Sequence, residues 1–259
     1  MSGFKLLTKP VNIVYAYDGS FHGFLCCVFE SVYSGETPFD IVPEETLMTL
    51  LDVRHVATDP EKAERVYASI PAKISQRALD LVVTVFFSCL AHKERKLLEF
   101  LLQAYKDGGS LLNKLGDPMV APILAAERRL FSEAHLLRGF IRFSDVGGGL
   151  VSVITPKNFV LPFIAKHFIL RYREENFMIF DKTNRAALVY REGKYEILQV
   201  DEFEPPEISE KEVMYQELWK RFYDTVAVKS RENPRCRMTH MPKRYWENML
   251  EVSALVAAQ

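Results

Sequence analysis

A change of texture near Gly139 limits what this chain can fold into more than any other feature. Before it, apolar residues recur at helical spacing; after it, short alternating runs are separated by glycine-containing turns. Residues 11–17 (VNIVYAY) are β-branched and aromatic and run into Asp18-Gly19, a strand ending in a tight turn. Ser20 then stands where a helix cap belongs, ahead of Phe21, Phe24, Leu25, Val28, Phe29 and Val32 on one helical face. Residues 52–58 form a short strand, and Asp59-Pro60 opens a helix that ends near Pro71. Residues 72–92 and 93–106 read as two long helices, and 118–139 as another with its true start near Pro122. Beyond the change, 139–143 and 150–154 flank Gly147-Gly148-Gly149 as a hairpin, 158–173 is helical, and 177–181, 186–190 and 195–200 are strands. The expected fold class is α+β: a helix-rich N-terminal half, then a small antiparallel sheet with covering helices and a helical C-terminus. Asp107-Gly108-Gly109-Ser110 is the clearest break, so a lobe over 1–110 and a second over 111–259 are expected, unless the two form one continuous domain.

With 259 residues, 48% of them hydrophobic, the chain can bury a large core. Cys26, Cys27, Cys89 and Cys236 show no metal-ligand spacing, so neither a metal nor a cofactor is expected. The first residues lack the pattern of a secretory signal, and the longest apolar run, 79–90, is too short for a bilayer, which points to a cytoplasmic protein without a membrane partner.

The segment most suited to meet a partner is 216–246. Between Lys220 and Trp246 eight cations stand against Asp224 and Glu232, a local charge of +6 that leaves −7 for the rest of a chain whose net charge is −1. Arg221, Arg231, Arg235, Arg237, Lys243 and Arg244 can hold phosphates while Tyr245 and Trp246 stack on exposed bases. The same composition also fits a solvated rim whose rings pack a helix down. Ser209 and Glu212 form a capping box, and on the helix they open, Tyr215, Trp219, Phe222 and Tyr223 share a stripe of the kind that usually faces a core. The better contact residues are therefore expected in 229–240, which Asn233-Pro234 holds out of regular structure, and in a last helix begun by Pro242. Arg129 and Glu133, four apart, are spaced for a surface pair, and His135 with Arg138 for a shared face.

The stretches YDGSFHGFLCCVFES, HLLRGFIRF, KHFILRY, FMIFDKTNRAALVY and LWKRFYDTVAVKSRENPRCRMTHMPKRYWENMLE resemble a bacterial family of DNA repair or DNA metabolism proteins. Genes of that family lie beside a radical S-adenosylmethionine protein similar to spore photoproduct lyase, and some members are fused to a uracil-DNA glycosylase-like domain. The resemblance implies DNA as a ligand and one of those proteins as partner, with this chain as a DNA-binding accessory and the bond chemistry in the partner. A glutamine that many relatives carry near Arg237 or Thr239 is absent here. Two alternatives stand beside this expectation. One is a DNA-processing enzyme, nuclease or glycosylase-like, using Asp18, His167 and Asp181 as acid, base or ligand. The other is a protein-interaction module that does not touch DNA.

Overall fold

The computed structural model describes residues 8–227 and 233–252. The chain forms two compact units, residues 1–130 and 131–259. In the first, β1 (Lys9–Pro10) is followed by β2 (Ile13–Tyr17), α1 (Phe21–Ser34), β3 (Glu36–Thr37), β4 (Asp40–Pro43) and β5 (Asp52–His55). The helices α2 (Pro60–Lys73), α3 (Gln76–Phe86) and α4 (Lys93–Asp107) come next, then α5 (Val120–Phe140), which begins in this unit. Strands β4, β2 and β5 form a parallel sheet with β2 in the middle. Parallel neighbours cannot be joined by a tight turn, and α1 makes the crossover from β2 to β4. Both faces of β2 are covered, so Val14, Tyr15, Ala16 and Tyr17 are all buried and the strand shows no alternation. Phe24, Leu25, Leu81, Leu97, Phe100 and Leu101 pack into the same core.

The local signals around α1 act as their chemistry requires. The Ser20 hydroxyl accepts the Gly23 N–H at 2.9 Å, and Gly35 closes the helix at φ 67°, where a side chain would be strained. The span 72–92 is not one helix. Ser75 caps α3 by accepting the Ala78 N–H, and the helix ends at Phe86, because a serine hydroxyl competes for backbone donors and restarts the turn. Leu111, Val120, Ile123 and Ala126 belong to the core of this first unit.

The second unit takes the rest of α5 and then β6 (Ser144–Asp145), β7 (Leu150–Ile154), α6 (Leu161–Arg171), β8 (Phe177–Asp181), β9 (Ala186–Arg191) and β10 (Lys194–Gln199). Helices α7 (Glu210–Val226) and α8 (Pro234–His240) follow, then a 3-10 turn at Lys243–Asn248. The sheet order is β10-β9-β8-β7-β6. Every neighbouring pair is antiparallel except β7 and β8, which run parallel because α6 carries the chain across between them. Residues 139 and 140, expected in a first hairpin strand, still belong to α5, and β6 is only two residues long. Phe168, Phe177, Ile179 and Leu188 form the core here with Tyr245, Trp246, Met249 and Val252 from the C-terminal turn. No helix among the described residues is long and apolar enough to cross a membrane.

A hydrogen-bond clasp fixes the β2–α1 turn. Asp18 accepts the Ser20 N–H at 2.9 Å with one oxygen and the Thr58 hydroxyl at 2.7 Å with the other. Gly23 sits beneath it, where an added Cβ would lie 2.2 Å from the Asp18 carboxylate and 2.8 Å from the Thr58 hydroxyl. Gly23→Ala is therefore expected to push the clasp open and destabilise the first unit by about 1–3 kcal/mol, read as a lower midpoint in thermal or urea denaturation. An unchanged midpoint would show that the clasp carries no stability.

Candidate nucleic-acid interface

Glu133 organises the second unit. It stands on α5 at the spacing of the buried Leu130, Ala134 and Leu137, so its carboxylate points into the core and is only 3% exposed. A carboxylate taken out of water must be met by donors, and Glu133 has several. The backbone N–H groups of Lys157 and Asn158 donate at 3.0 and 2.9 Å, and the Asn158 side-chain amide at 2.6 Å. From the C-terminal turn, the Arg244 guanidinium donates at 2.9 Å and the Tyr245 hydroxyl at 2.8 Å. Burial works to raise the pKa of Glu133, but the Lys157, Asn158 and Tyr245 hydrogen bonds outweigh it and hold the carboxyl below its ordinary value. The surface pair expected between Arg129 and Glu133 does not form, because Glu133 faces the core and its cation comes from 111 residues further along the chain.

Asp181, at the end of β8, is fully buried nearby. It accepts the Thr183 and Asn184 N–H groups at 3.0 Å each and the Asn184 side-chain amide at 2.6 Å. Burial pushes it up to about 6 against those hydrogen bonds, with the Glu133 charge adding to the rise. Its oxygens cap the β8–β9 turn.

The C-terminal cations and rings divide into two groups. Tyr245 and Trp246 are 2% and 6% exposed and belong to the core, so they are not the exposed stacking faces expected from the sequence. The reason is the Glu133 anchor together with the bond from the Trp246 indole N–H to the Met241 carbonyl at 2.9 Å. Arg244 is spent on Glu133, which also removes it from the expected phosphate contacts. Arg221, Arg235 and Lys243 are exposed and Arg237 is half-buried; Arg221, Arg235 and Arg237 make no ion pair with a described residue. Arg231 lies outside the described residues. The segment expected to be irregular contains α8, started by the Asn233 side chain, which accepts the Cys236 N–H at 3.0 Å.

The stripe on α7 departs furthest from expectation. Tyr215, Leu218, Trp219 and Phe222 are 52%, 50%, 41% and 58% exposed, so this helix shows its rings to solvent instead of covering a core. They border an open groove of about 870 Å³ whose other side carries Arg142, Arg171 and Tyr172. Trp219 is held in place. Its indole N–H donates to Glu251 at 3.3 Å while Arg142 donates to the other Glu251 oxygen at 2.6 Å, and the Arg142 guanidinium lies 6.0 Å from the Trp219 ring. Arg171 makes no ion pair with a described residue and lies 5.8 Å from the Tyr172 ring.

His167 on α6 stands next to this rim. Burial, then the charges of Arg138 and Arg171, hold its imidazole below its ordinary value, and its Nε2 is buried without a hydrogen-bond partner. No hydrogen bond or ion pair joins His167 to Asp181, and Asp18 belongs to the clasp of the first unit. The three residues expected as catalytic thus occupy three separate settings. Among the described residues no group of three or more His, Cys, Asp or Glu is arranged to hold a metal ion.

The fold and site define an α+β protein with a solvent-open groove of aromatic rings and arginines. The chain belongs to the DUF4130 family, a domain of unknown function, whose model matches residues 91–251. No curated protein matches the chain, and neither does any solved structure. The signal for Glu133 was present in the sequence as an acid at a core-facing helical position; nothing local marked α7 as exposed.

Two outcomes follow from the Glu133 network. Glu133→Gln leaves Arg244 without its carboxylate and is expected to cost about 2–3 kcal/mol, below a fully buried pair because the Arg244 side chain keeps 36% of its surface in water. Urea unfolding of the second unit, followed by the emission of its two tryptophans, Trp219 and Trp246, measures it. Asp181 gains its proton more readily when folded than when unfolded, so the native state holds the extra proton between the two values and stability rises as pH falls from about 7 toward about 4. Asp181→Asn should remove that rise, a difference of order 1–3 kcal/mol between the two proteins' pH profiles. Parallel profiles would contradict it.

Proposed function

We propose that this chain is a DNA-binding accessory protein in DNA repair or modification, which presents unpaired or flipped-out bases to a partner that does the chemistry. One observation carries the reading: Tyr215, Trp219 and Phe222 stand half-exposed along a groove that also carries Arg171, which no described acid pairs, while Arg142 beside them is held by Glu251. Exposed rings accept any base face, and an unpaired arginine beside them attracts the phosphates, which together make a groove for single strands with little sequence preference. The α6 rim supports the same reading, since Arg138 and Arg171 place two guanidinium charges close enough to His167 to disfavour its protonation, and a phosphate there would offset them. Arg221 on α7 and the exposed Arg235 add to the cationic surface of this unit. The partner in this proposal is the one the family resemblance implies, a radical S-adenosylmethionine protein or a uracil-DNA glycosylase-like protein.

A second reading is favoured by the aliphatic part of the same helix. Met214, Leu218 and Val226 are each half-exposed, and a partner's apolar surface would cover them better than bases do. In that case the groove docks protein and DNA is not bound.

Fluorescence anisotropy with a labelled oligothymidylate separates the two. Binding should weaken steeply with salt, Trp219→Ala should reduce affinity roughly 5- to 100-fold, and Arg171→Glu should reduce both the affinity and the salt dependence. If oligothymidylate does not bind at 50 mM salt, or binds these variants as tightly as the parent, the groove does not hold nucleic acid.

A further inference from the structure

We propose that the first unit carries a separate binding site for a nucleoside phosphate, formed between α1, α2 and α4. It is a pocket of about 330 Å³, a size within the range of small-molecule sites. Phe29 from α1 and Tyr105 from α4 supply ring faces, and Arg65, Ser69 and Lys73 from α2 supply the polar side. This proposal is independent of the groove in the second unit.

The charge on α2 is the first argument. Lys62, Arg65, Ser69 and Lys73 recur at i, i+3, i+7 and i+11, one face of a helix; Glu64 falls off that face, and Glu61, at its edge four residues before Arg65, makes no ion pair with it. None of the three cations makes an ion pair with a described residue. The acid closest along α1, Glu30, is already directed at Arg54, 3.9 Å away. A helix face with three cations that no described acid pairs is complementary to a ligand with more than one negative charge.

The rings are the second argument. The Lys62 ammonium lies 5.5 Å and the Arg65 guanidinium 5.3 Å from the Phe29 ring centre, and the Lys73 ammonium lies 6.0 Å from that of Tyr105. Tyr33, 81% exposed, stacks nearly parallel on Phe29 at 6.0 Å and 11° and extends the flat surface into solvent. Such an exposed tyrosine gains little from packing, but it can take a planar base on its free face. The Ser69 and Tyr105 hydroxyls, 2.6 Å apart, add a polar pair that can bond a ribose hydroxyl or a phosphate oxygen. Rings for a base, hydroxyls for a sugar and cations for phosphates thus border one opening. A bare inorganic anion would leave the rings unused, and a neutral aromatic would leave the cations unused.

The test is calorimetric titration of the full chain with adenosine 5′-triphosphate, with adenosine and inorganic triphosphate as separate arms. The site requires saturable binding of one nucleotide per chain, at least tenfold tighter than either part alone. Arg65→Glu with Lys73→Glu should weaken it more than tenfold, Arg65→Gln with Lys73→Gln less severely, and Tyr33→Ala about fivefold. These side chains are exposed, so the variants should keep the parent's melting temperature. Trp219→Ala should leave nucleotide affinity unchanged, which keeps this outcome separate from that of the DNA groove. The proposal is overturned by absence of binding at millimolar nucleotide or by inorganic triphosphate binding as tightly as the nucleotide. Unchanged affinity in the Arg65 and Lys73 variants, or loss of affinity in Trp219→Ala, would also overturn it.

Discussion

The second unit depends on a single buried carboxylate. Glu133 gathers donors from the 157–158 turn and from the C-terminal 3-10 turn, and so fixes a segment more than a hundred residues away in sequence. A buried charge tolerates no vacancy among its donors, so the network is satisfied as a whole or not at all. That requirement draws Tyr245 and Trp246 inward and, with them, Met249 and Val252. Glu251 sits in the same stretch and holds both Arg142 and Trp219. The groove wall is thus tied, through one short turn, to the anchor in the core.

This arrangement explains why the exposed aromatics lie on α7 and not at the C-terminal turn. The rings of the turn fill the core, and the rings of α7 have nothing left to cover. An amphipathic helix whose apolar stripe stays in water costs solubility, and proteins keep such stripes where a ligand or partner covers them. The unpaired Arg171 bordering the same groove as these rings suits a polyanion with flat bases, which is the basis of the DNA-binding proposal. The basic hollow of the first unit repeats the combination at smaller scale, with Arg65 and Lys73 beside Phe29, Tyr33 and Tyr105.

The sequence made local features legible and long-range ones illegible. The α+β class followed from the switch of periodicity, the Ser20 and Ser209 caps formed as expected, and α6 and the strands after it lie close to where they were read. Each of these is decided by residues within one or two turns. The fates of Glu133, Tyr245 and Trp219 were decided otherwise. Glu133 looked like half of a surface pair with Arg129, because spacing alone does not say which side of a helix meets a core. Tyr245 and Trp246 looked exposed because their neighbours are cationic, whereas a carboxylate on α5 recruits the turn that carries them. Trp219 looked like core because its stripe has core spacing, and no local property distinguishes a stripe that finds a partner helix from one that does not.

The central claim is that the α7 rings meet bases, and Trp219 can report on it directly. The chain has two tryptophans, of which Trp246 is buried. In a Trp246→Phe variant the emission comes from Trp219 alone, and oligothymidylate added at low salt should quench it saturably, with recovery on raising the salt. Emission that stays constant while the oligonucleotide demonstrably binds would place the nucleic acid elsewhere on the protein and contradict the account.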